Sequence, residues 1–539
     1  MAALSVAGSA YALNPPTTVP GPAVAVSGDR AAVAWTAGGI VQVADLTRGG
    51  TFGPAVAVGR SITNRQPQLA FTPAGEALVL WQSGGVLRLA ARAAGRSVWT
   101  VETIASFSEE IQPPRLFVDH SGRAIAIWTG VDTVDTRALL ASTRSVSGVW
   151  SAAVPLAIAP TQASAAIDTD GDVTVAYRAR TDVSATTLLS GASSWSPAVE
   201  ISGSDDVYGD VQLAGGGERT FLATWGLTQP SSSQNMQPIV RSARLRAPGT
   251  WSPPRDVVSQ SSDPLLSGVT YEEGWESAVD GLGNAVTFLR FPILTYGYAL
   301  AVTRLPASGD EWAGPVPFSL PDLKYAAVSL PSTALADDGA TSLAFVQRAP
   351  SGVTMRVSTS AGASEAWAGP VGMVGTVTTC KARCESDFGE GIEPVVAIGK
   401  RFAIVAIQSA GGEVVAFARS APGGHWKGPQ TLRSTGPTTA YLVSAHVRKG
   451  VIRVVVACGL PPCTGVADLQ AALGAGPRLL GRVPFSLRGA GATTWSITLP
   501  AWTRARLAPG RHLLTHFAFK VREGDGMTEQ VQRTIRLHA

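Results

Sequence analysis

Carboxylates interleaved with aromatic rings are the residues of this chain best suited to chemistry. They gather in four strings: Asp205-Asp206-Val207-Tyr208-Gly209-Asp210; Tyr271-Glu272-Glu273-Gly274-Trp275-Glu276; Phe291 with Tyr296 and Tyr298; and Glu385, Asp387, Phe388, Glu390 and Glu393. Aromatic faces stack on the C–H faces of sugars, and carboxylates accept from sugar hydroxyls. The same oxygens arranged in a ring could bind Ca²⁺. The candidate ligand-binding set is therefore Asp206, Tyr208, Asp210, Glu273, Trp275, Tyr296, Tyr298 and Glu390. The plainer reading is solvated loop charge with rings packed on sheet edges.

Other reactive types are sparse. Asp168-Thr169-Asp170-Gly171-Asp172 has the D-x-D-x-D form of a Ca²⁺ chelator, but the later ligands and closing Glu of an EF-hand loop are missing. An ordinary turn is the primary reading there, with Ca²⁺ as the alternative, and no other metal or cofactor is expected. No G-x-S-x-G, H-E-x-x-H, Walker or dinucleotide pattern occurs. His512 and His516 lie four apart on an expected strand with no third ligand nearby. No catalytic residue is assigned. The four cysteines form two close pairs, Cys380 with Cys384 and Cys458 with Cys463. Such spacing suits two small disulfides in an oxidising compartment.

The elements that would position these residues come from a repeat. Short alternating apolar runs end in an aromatic at Trp35, Trp81, Trp128, Tyr177, Trp225, Phe288 and Phe345, and an eighth run ends at Ile407. A second aromatic follows each, at Phe52, Trp99, Trp150, Trp195, Trp251, Trp312, Trp367 and Trp426, commonly in a W-S-x-P or W-x-G-P context. The spacing is about 52 residues, and each unit holds four short runs punctuated by Gly and Pro. The first turn often opens with Asp and closes with Gly, as at Asp119/Gly122, Asp168/Gly171 and Asp280/Gly283. An Asp side chain accepts from turn amides, and Gly takes positive φ. Four strands per unit at this period predict an all-β chain: a β-propeller of about eight four-stranded blades over 13–435, or seven if one unit is displaced.

Residues 437–539 break the period. Seven apolar runs (Tyr441–Val447, Val451–Cys458, Val466–Leu473, Leu479–Leu487, Thr493–Leu499, Leu513–Val521, Val531–Leu537) suit a small immunoglobulin-like β-sandwich, with 501–507 as a short helical crossing. Charge divides at the same place. Residues 1–436 carry 30 basic and 35 acidic groups, net −5, whereas 437–539 carry 13 and 4, net +9. Residues 1–12 are small and apolar and end in Ala10-Tyr11-Ala12, which reads as a truncated signal peptide. No apolar run is long enough for a transmembrane segment.

Antiparallel geometry puts the second-to-third and fourth-to-next-first connections on one face, and the long connections collect there: 129–136, 226–238, 290–298, 106–112, 202–210, 260–275 and 375–393. Loops on a rigid scaffold are where binding residues concentrate. The Gly-turned, Trp-marked blades resemble those of sialidase-like and lectin-like β-propellers. In sialidases the Asp-box aromatic comes three residues after Gly. Here the gap is six, as from Gly75 to Trp81, Gly122 to Trp128 and Gly171 to Tyr177. The nearest string to the sialidase R-I-P motif is Pro114-Arg115-Leu116, so no catalytic residue is carried over. The tail around Cys458 and Cys463 is similar to immunoglobulin-like modules of secreted bacterial surface proteins.

The expectation is a secreted or cell-surface, non-catalytic binding protein. Its loop face would take a glycan or protein, and its basic tail would associate with anionic cell-envelope polymer; no nucleic acid is implied. The alternatives are a sialidase-like glycoside hydrolase or lyase using loop carboxylates, and a structural scaffold without a ligand.

Overall fold

The computed structural model describes the chain from Gly21 onward. Outside the description lie 1–20, 62–65, 108–112, 132–136, 218, 229–237, 259–273, 294–296, 318–326, 329–331, 336–340, 350–351, 361–371, 378–393, 400, 409–412, 421–424, 433–440, 449–450, 459–462, 474–475, 488–490, 501–502, 504–511, 523–527 and 539. The side chains of Tyr208, Tyr298, Cys458 and Cys463, which sit on described strands, are also outside it. The chain divides into two compact units. One takes residues through Ala37, Val43–Ala55 and Ser61–Arg433; the other takes Ser434–Ala539 with Gly38–Gln42 and Val56–Arg60.

The protein is a β-propeller. Among the described residues, eight separate sheets follow one another along the chain, spanning 23–60, 68–106, 115–158, 162–200, 207–258, 275–317, 327–377 and 395–432. These are blades 1 to 8. Strands within a blade lie in sequence order. In blade 4, Gln162–Ile167 pairs antiparallel with Val173–Ala179, that strand with Asp182–Leu188, and that with Val199–Glu200. Two blades depart slightly. The fourth strand of blade 5 is split into Thr250–Trp251 and Arg255–Val258, and the first strand of blade 7 into Ala327–Val328 and Ser332–Leu335.

The second strands explain the stacking. Ala77–Gln82 is buried at every position, as is Ala403–Gln408. A strand covered on both faces reads as a continuous apolar run rather than an alternating one. The landmark aromatics fill the layers between blades: Trp35, Trp81, Trp128, Trp225, Phe288 and Phe345 are fully buried, as is Ile407 in the unit without an aromatic. The later tryptophans wedge the blade seams from outside. Trp150 packs on the apolar layer between blades 2 and 3 and donates to Glu102 Oε1 at 3.0 Å. Trp312 covers the layer between blades 5 and 6 and donates to Ser242 Oγ at 2.9 Å.

Inner strands of neighbouring blades are strapped by side chains. Gln162 Oε1 accepts from Val211 N (2.9 Å), Ser164 Oγ from Leu213 N (3.1 Å), and Gln66 Nε2 donates to Pro22 O (2.9 Å). These straps satisfy two edge amides and one carbonyl of the neighbouring blade. Among the described residues, the sheets of blades 1 and 8 exchange no strand at the ring closure. Trp35, Val33 and Phe52 of blade 1 share one apolar layer with Ile404, Ala416 and Leu432 of blade 8. Gln430 clasps Phe52, accepting from its amide at 2.8 Å and donating to its carbonyl at 2.9 Å.

The second unit contains all seven strands expected from the sequence. Tyr441–Arg448, Val451–Cys458 and Gly491–Thr498 form one sheet; Gly476–Leu487, Cys463–Leu473, His512–Arg522 and Thr528–His538 form the other. Ile452, Leu469, Ala471, Leu480, Phe485, Ile497 and Leu499 are buried in it. The expected helical crossing at 501–507 lies outside the described residues except for Thr503. No helix among the described residues is long and apolar enough to cross a membrane.

Candidate functional site

Strand order assigns the two faces. Within each blade the first-to-second and third-to-fourth connections fall on one side, here the turn face. The remaining connections fall on the loop face. On the turn face the first-to-second connections are tight, self-satisfied turns, while the third-to-fourth connections are longer, running from Asp45 to Val56 in blade 1 and from Ser360 to Gly372 in blade 7. Asp119 Oδ1 accepts from Arg123 N at 2.9 Å, and Asp280 Oδ1 from Leu282 N and Asn284 N at 2.9 and 2.8 Å. Gly75, Gly122, Gly171 and Gly283 close these turns at φ between +79° and +87°. On the loop face, blade 5 runs from Thr228 to Pro238 between its second and third strands. The connections to blades 6 and 8 run from Val258 to Trp275 and from Val377 to Val395.

Asp168 organises the first turn of blade 4. Its Oδ1 accepts from the amides of Asp170 (3.0 Å) and Asp172 (2.9 Å), and Asp172 Oδ1 accepts from Ser190 N at 2.6 Å. The guanidinium of Arg219 lies 3.4 Å from Asp172 Oδ2 and 3.9 Å from Asp170 Oδ2. Among the described residues no three His, Cys, Asp or Glu side chains gather to hold a metal ion. The D-x-D-x-D run forms an Asx turn that Arg219 ties to the next blade. Burial pushes the Asp168 carboxyl up to about 7, with Asp172 and Asp170 adding to the rise against the two amide donors.

The candidate ligand residues fare unequally. Glu273, Tyr296 and Glu390 lie outside the described residues, as do Cys380 and Cys384. Tyr208 and Tyr298 are placed by their strands, Val207–Gly215 and Gly297–Leu305. Trp275 is a correction. It opens the inner strand Trp275–Val279, is 5% exposed, and packs with Val240, Val257, Leu289 and Ala301 between blades 5 and 6. Its indole N–H donates to Thr224 Oγ1 at 2.9 Å. The acidic string around it reads as loop, yet the strand begins inside that string, and Glu276 is buried beside Thr333.

The segment 202–210 is the best-described part of the loop face. Asp205 is internal: Arg241 binds it while also donating to Asp256 Oδ1 at 2.8 Å, and Trp225 Nε1 lies 3.4 Å from its Oδ2. Burial works against the Arg241 charge, but these two carboxylates outweigh it and hold the guanidinium above its usual range. Asp210 is exposed and accepts from Gln162 Nε2. Val207 N donates to Thr181 O at 2.9 Å, docking the segment on the blade 4 hairpin, and Arg178 donates to Gly209 O at 2.9 Å. Asp206 is exposed and has no ion pair among the described residues. The hairpin beside it carries Arg180, exposed and at φ +61°, a residue that sequence reasoning passed over. The signal was present in the repeat: the matching connection is Gly38-Gly39 in blade 1 and Gly84-Gly85 in blade 2.

No protein-family model and no curated protein matches the chain. Solved structures do. An ulvan lyase of polysaccharide lyase family PL25 aligns over 79% of this chain and 96% of its own, at 10% identity and TM-score 0.43. The Dos1 propeller aligns over 76% and 95%, at 9% identity and TM-score 0.42. The β-propeller domain of the Trilobed protease from Pyrococcus furiosus aligns over 69% and 99%, at 8% identity and TM-score 0.39.

Proposed function

We propose that the chain is a secreted or cell-surface binding protein whose loop face takes a glycan, with the basic unit 437–539 holding it near anionic envelope polymer. One observation carries the reading. The two faces of the propeller differ: the first-to-second connections of the turn face are tight Asp and Gly turns, whereas the loop face carries the two longest connections between described strands, Val258 to Trp275 and Val377 to Val395, and leaves Asp206 and Asp210 exposed on an anchored segment. Anchoring matters because a site held by its scaffold loses less entropy on binding. Asp205 belongs to the anchor, tied to Arg241; Asp210 is exposed while accepting from Gln162, and Asp206 is exposed with no ion pair among the described residues.

A glycan array with the full chain, paired with a turnover assay on every hit, tests this. Binding without turnover is the expected result. Turnover of a bound glycan would replace the binding reading with the hydrolase or lyase alternative. Binding only to a protein, or to nothing on the array, would remove the glycan.

A further inference from the structure

We propose that Arg180 is a ligand-recognising arginine, and that the glycan bound on the loop face carries an isolated carboxylated sugar that this guanidinium engages. The inference rests on the reading of the loop face as a glycan-binding surface and names the chemical class it selects.

The hairpin joining Val173–Ala179 to Asp182–Leu188 has a two-residue connection, Arg180-Thr181, closed by the Ala179–Asp182 pair. Only the first of the two has positive φ, +61°. Two-residue hairpins with that pattern favour Gly at the first position, because a Cβ is strained there. Blade 1 uses Gly38 and Gly39 at φ +58° and +77° in the same connection, and blade 2 uses Gly84 at +61°. Blade 4 has an arginine where blades 1 and 2 have glycine.

Strain held by an exposed side chain calls for a reason. Three non-glycine residues have positive φ among those described: Ala159, Arg180 and Arg219. Ala159 donates its amide to Arg137 O at 2.7 Å, and Arg219 sits against Asp172 and Asp170. Arg180 is exposed and has neither hydrogen bond nor ion pair for its side chain among the described residues. Its neighbour Arg178 is committed, donating to Thr161 Oγ1 at 2.8 Å and to Gly209 O at 2.9 Å. The Val207–Thr181 bond brings the segment bearing Asp206 alongside.

The surroundings set the ligand class. A guanidinium fork matches a carboxylate with two parallel hydrogen bonds. Asp182 and Asp206, both exposed, are acceptors for sugar hydroxyls. The body beneath is acidic, net −5 over residues 1–436, so a densely charged polyanion is repelled while one monoanionic group on a neutral chain is tolerated.

The test uses matched oligosaccharides that differ only at one end, a uronic acid, the corresponding neutral sugar or a sulfated sugar, titrated against the full chain and two variants. Charge-assisted hydrogen bonds predict that the native chain prefers the uronate-ended probe over the neutral one by about tenfold or more. Arg180→Gly removes the fork and relaxes the turn. It should abolish that preference while leaving the melting temperature unchanged or raised. Arg180→Lys keeps a charge without the fork and should retain part of the preference. Equal binding of uronate-ended and neutral probes, a preference for the sulfated end, or a uronate preference that survives Arg180→Gly overturns the proposal while glycan binding stands. Failure to bind any of the probes overturns both.

Discussion

Replacing Asp168 by Asn should change how the stability of the propeller depends on pH. The Asp168 carboxyl is held at about 7 in the folded chain against 3.8 as its ordinary value, chiefly because burial disfavours the charged form. Between those values the folded state holds a proton that the unfolded state has lost. Stability therefore falls as pH rises from about 4 to about 7 and is level above. About three pKa units at 1.36 kcal/mol each gives a total on the order of 4 kcal/mol. Asparagine keeps the Oδ1 acceptor that the Asp170 and Asp172 amides use, and it does not titrate. It also puts an amide nitrogen at Oδ2, which has no hydrogen-bond partner; that offset is the same at every pH, so the slope is the informative quantity. The assay is denaturant unfolding of both proteins from pH ~4 to ~8.5 at fixed ionic strength. The expected result is a variant-minus-native difference that grows with pH and levels off near 7. A difference that is flat, or that shrinks as pH rises, would refute the assignment. Asp170→Asn, which removes a neighbouring charge, should reduce the native slope.

Three further outcomes follow from the packing. Gly217→Ala should be severe, because the added Cβ would stand 1.9 Å from Gly281 O on the next blade; Gly28→Ala has open space and only a φ of +56° to strain, so its cost is about 1 kcal/mol by thermal melts. Gln430→Ala removes both bonds that clasp Phe52 across the ring closure, and should cost about 1–3 kcal/mol and speed amide exchange at Phe52. Replacing Arg533 and Arg536 by Gln should weaken binding of the full chain to vesicles of anionic lipid at low salt; the native difference should vanish at high salt, and a salt-insensitive association would count against an electrostatic tail.

The blades were legible because their physics is periodic. A strand buried on both faces must be apolar throughout, and turns between strands must be Gly- or Asp-rich, so the pattern repeats every 50 or so residues whatever each blade does. Even the unit ending in Ile407 falls into place, since the layer asks for volume rather than an aromatic ring. The seven strands after 437 were found for the complementary reason: each is a run bounded by turn residues, missed only at its polar ends, as where Cys463–Leu473 begins three residues before the apolar pattern does.

The site was legible only as a location. One-sided insertion identifies a face, but no period marks which of its residues are committed to the scaffold. Asp205 and Asp206 are adjacent and alike in sequence, yet one is locked by Arg241 and the other is exposed; the difference is set by a strand 36 residues away. Trp275 misled for a related reason, since an inner strand that starts with a tryptophan and a buried glutamate imitates a binding loop. Arg180 was hidden differently. Arginine is unremarked at a surface, and what sets it apart is the backbone it occupies, which becomes informative only when the same connection in blades 1 and 2 supplies glycine as the comparison. In a repeat protein the shared features disclose the fold, and the repeat that departs from its sisters at an unpartnered, strained position is where selection for something other than folding is most exposed.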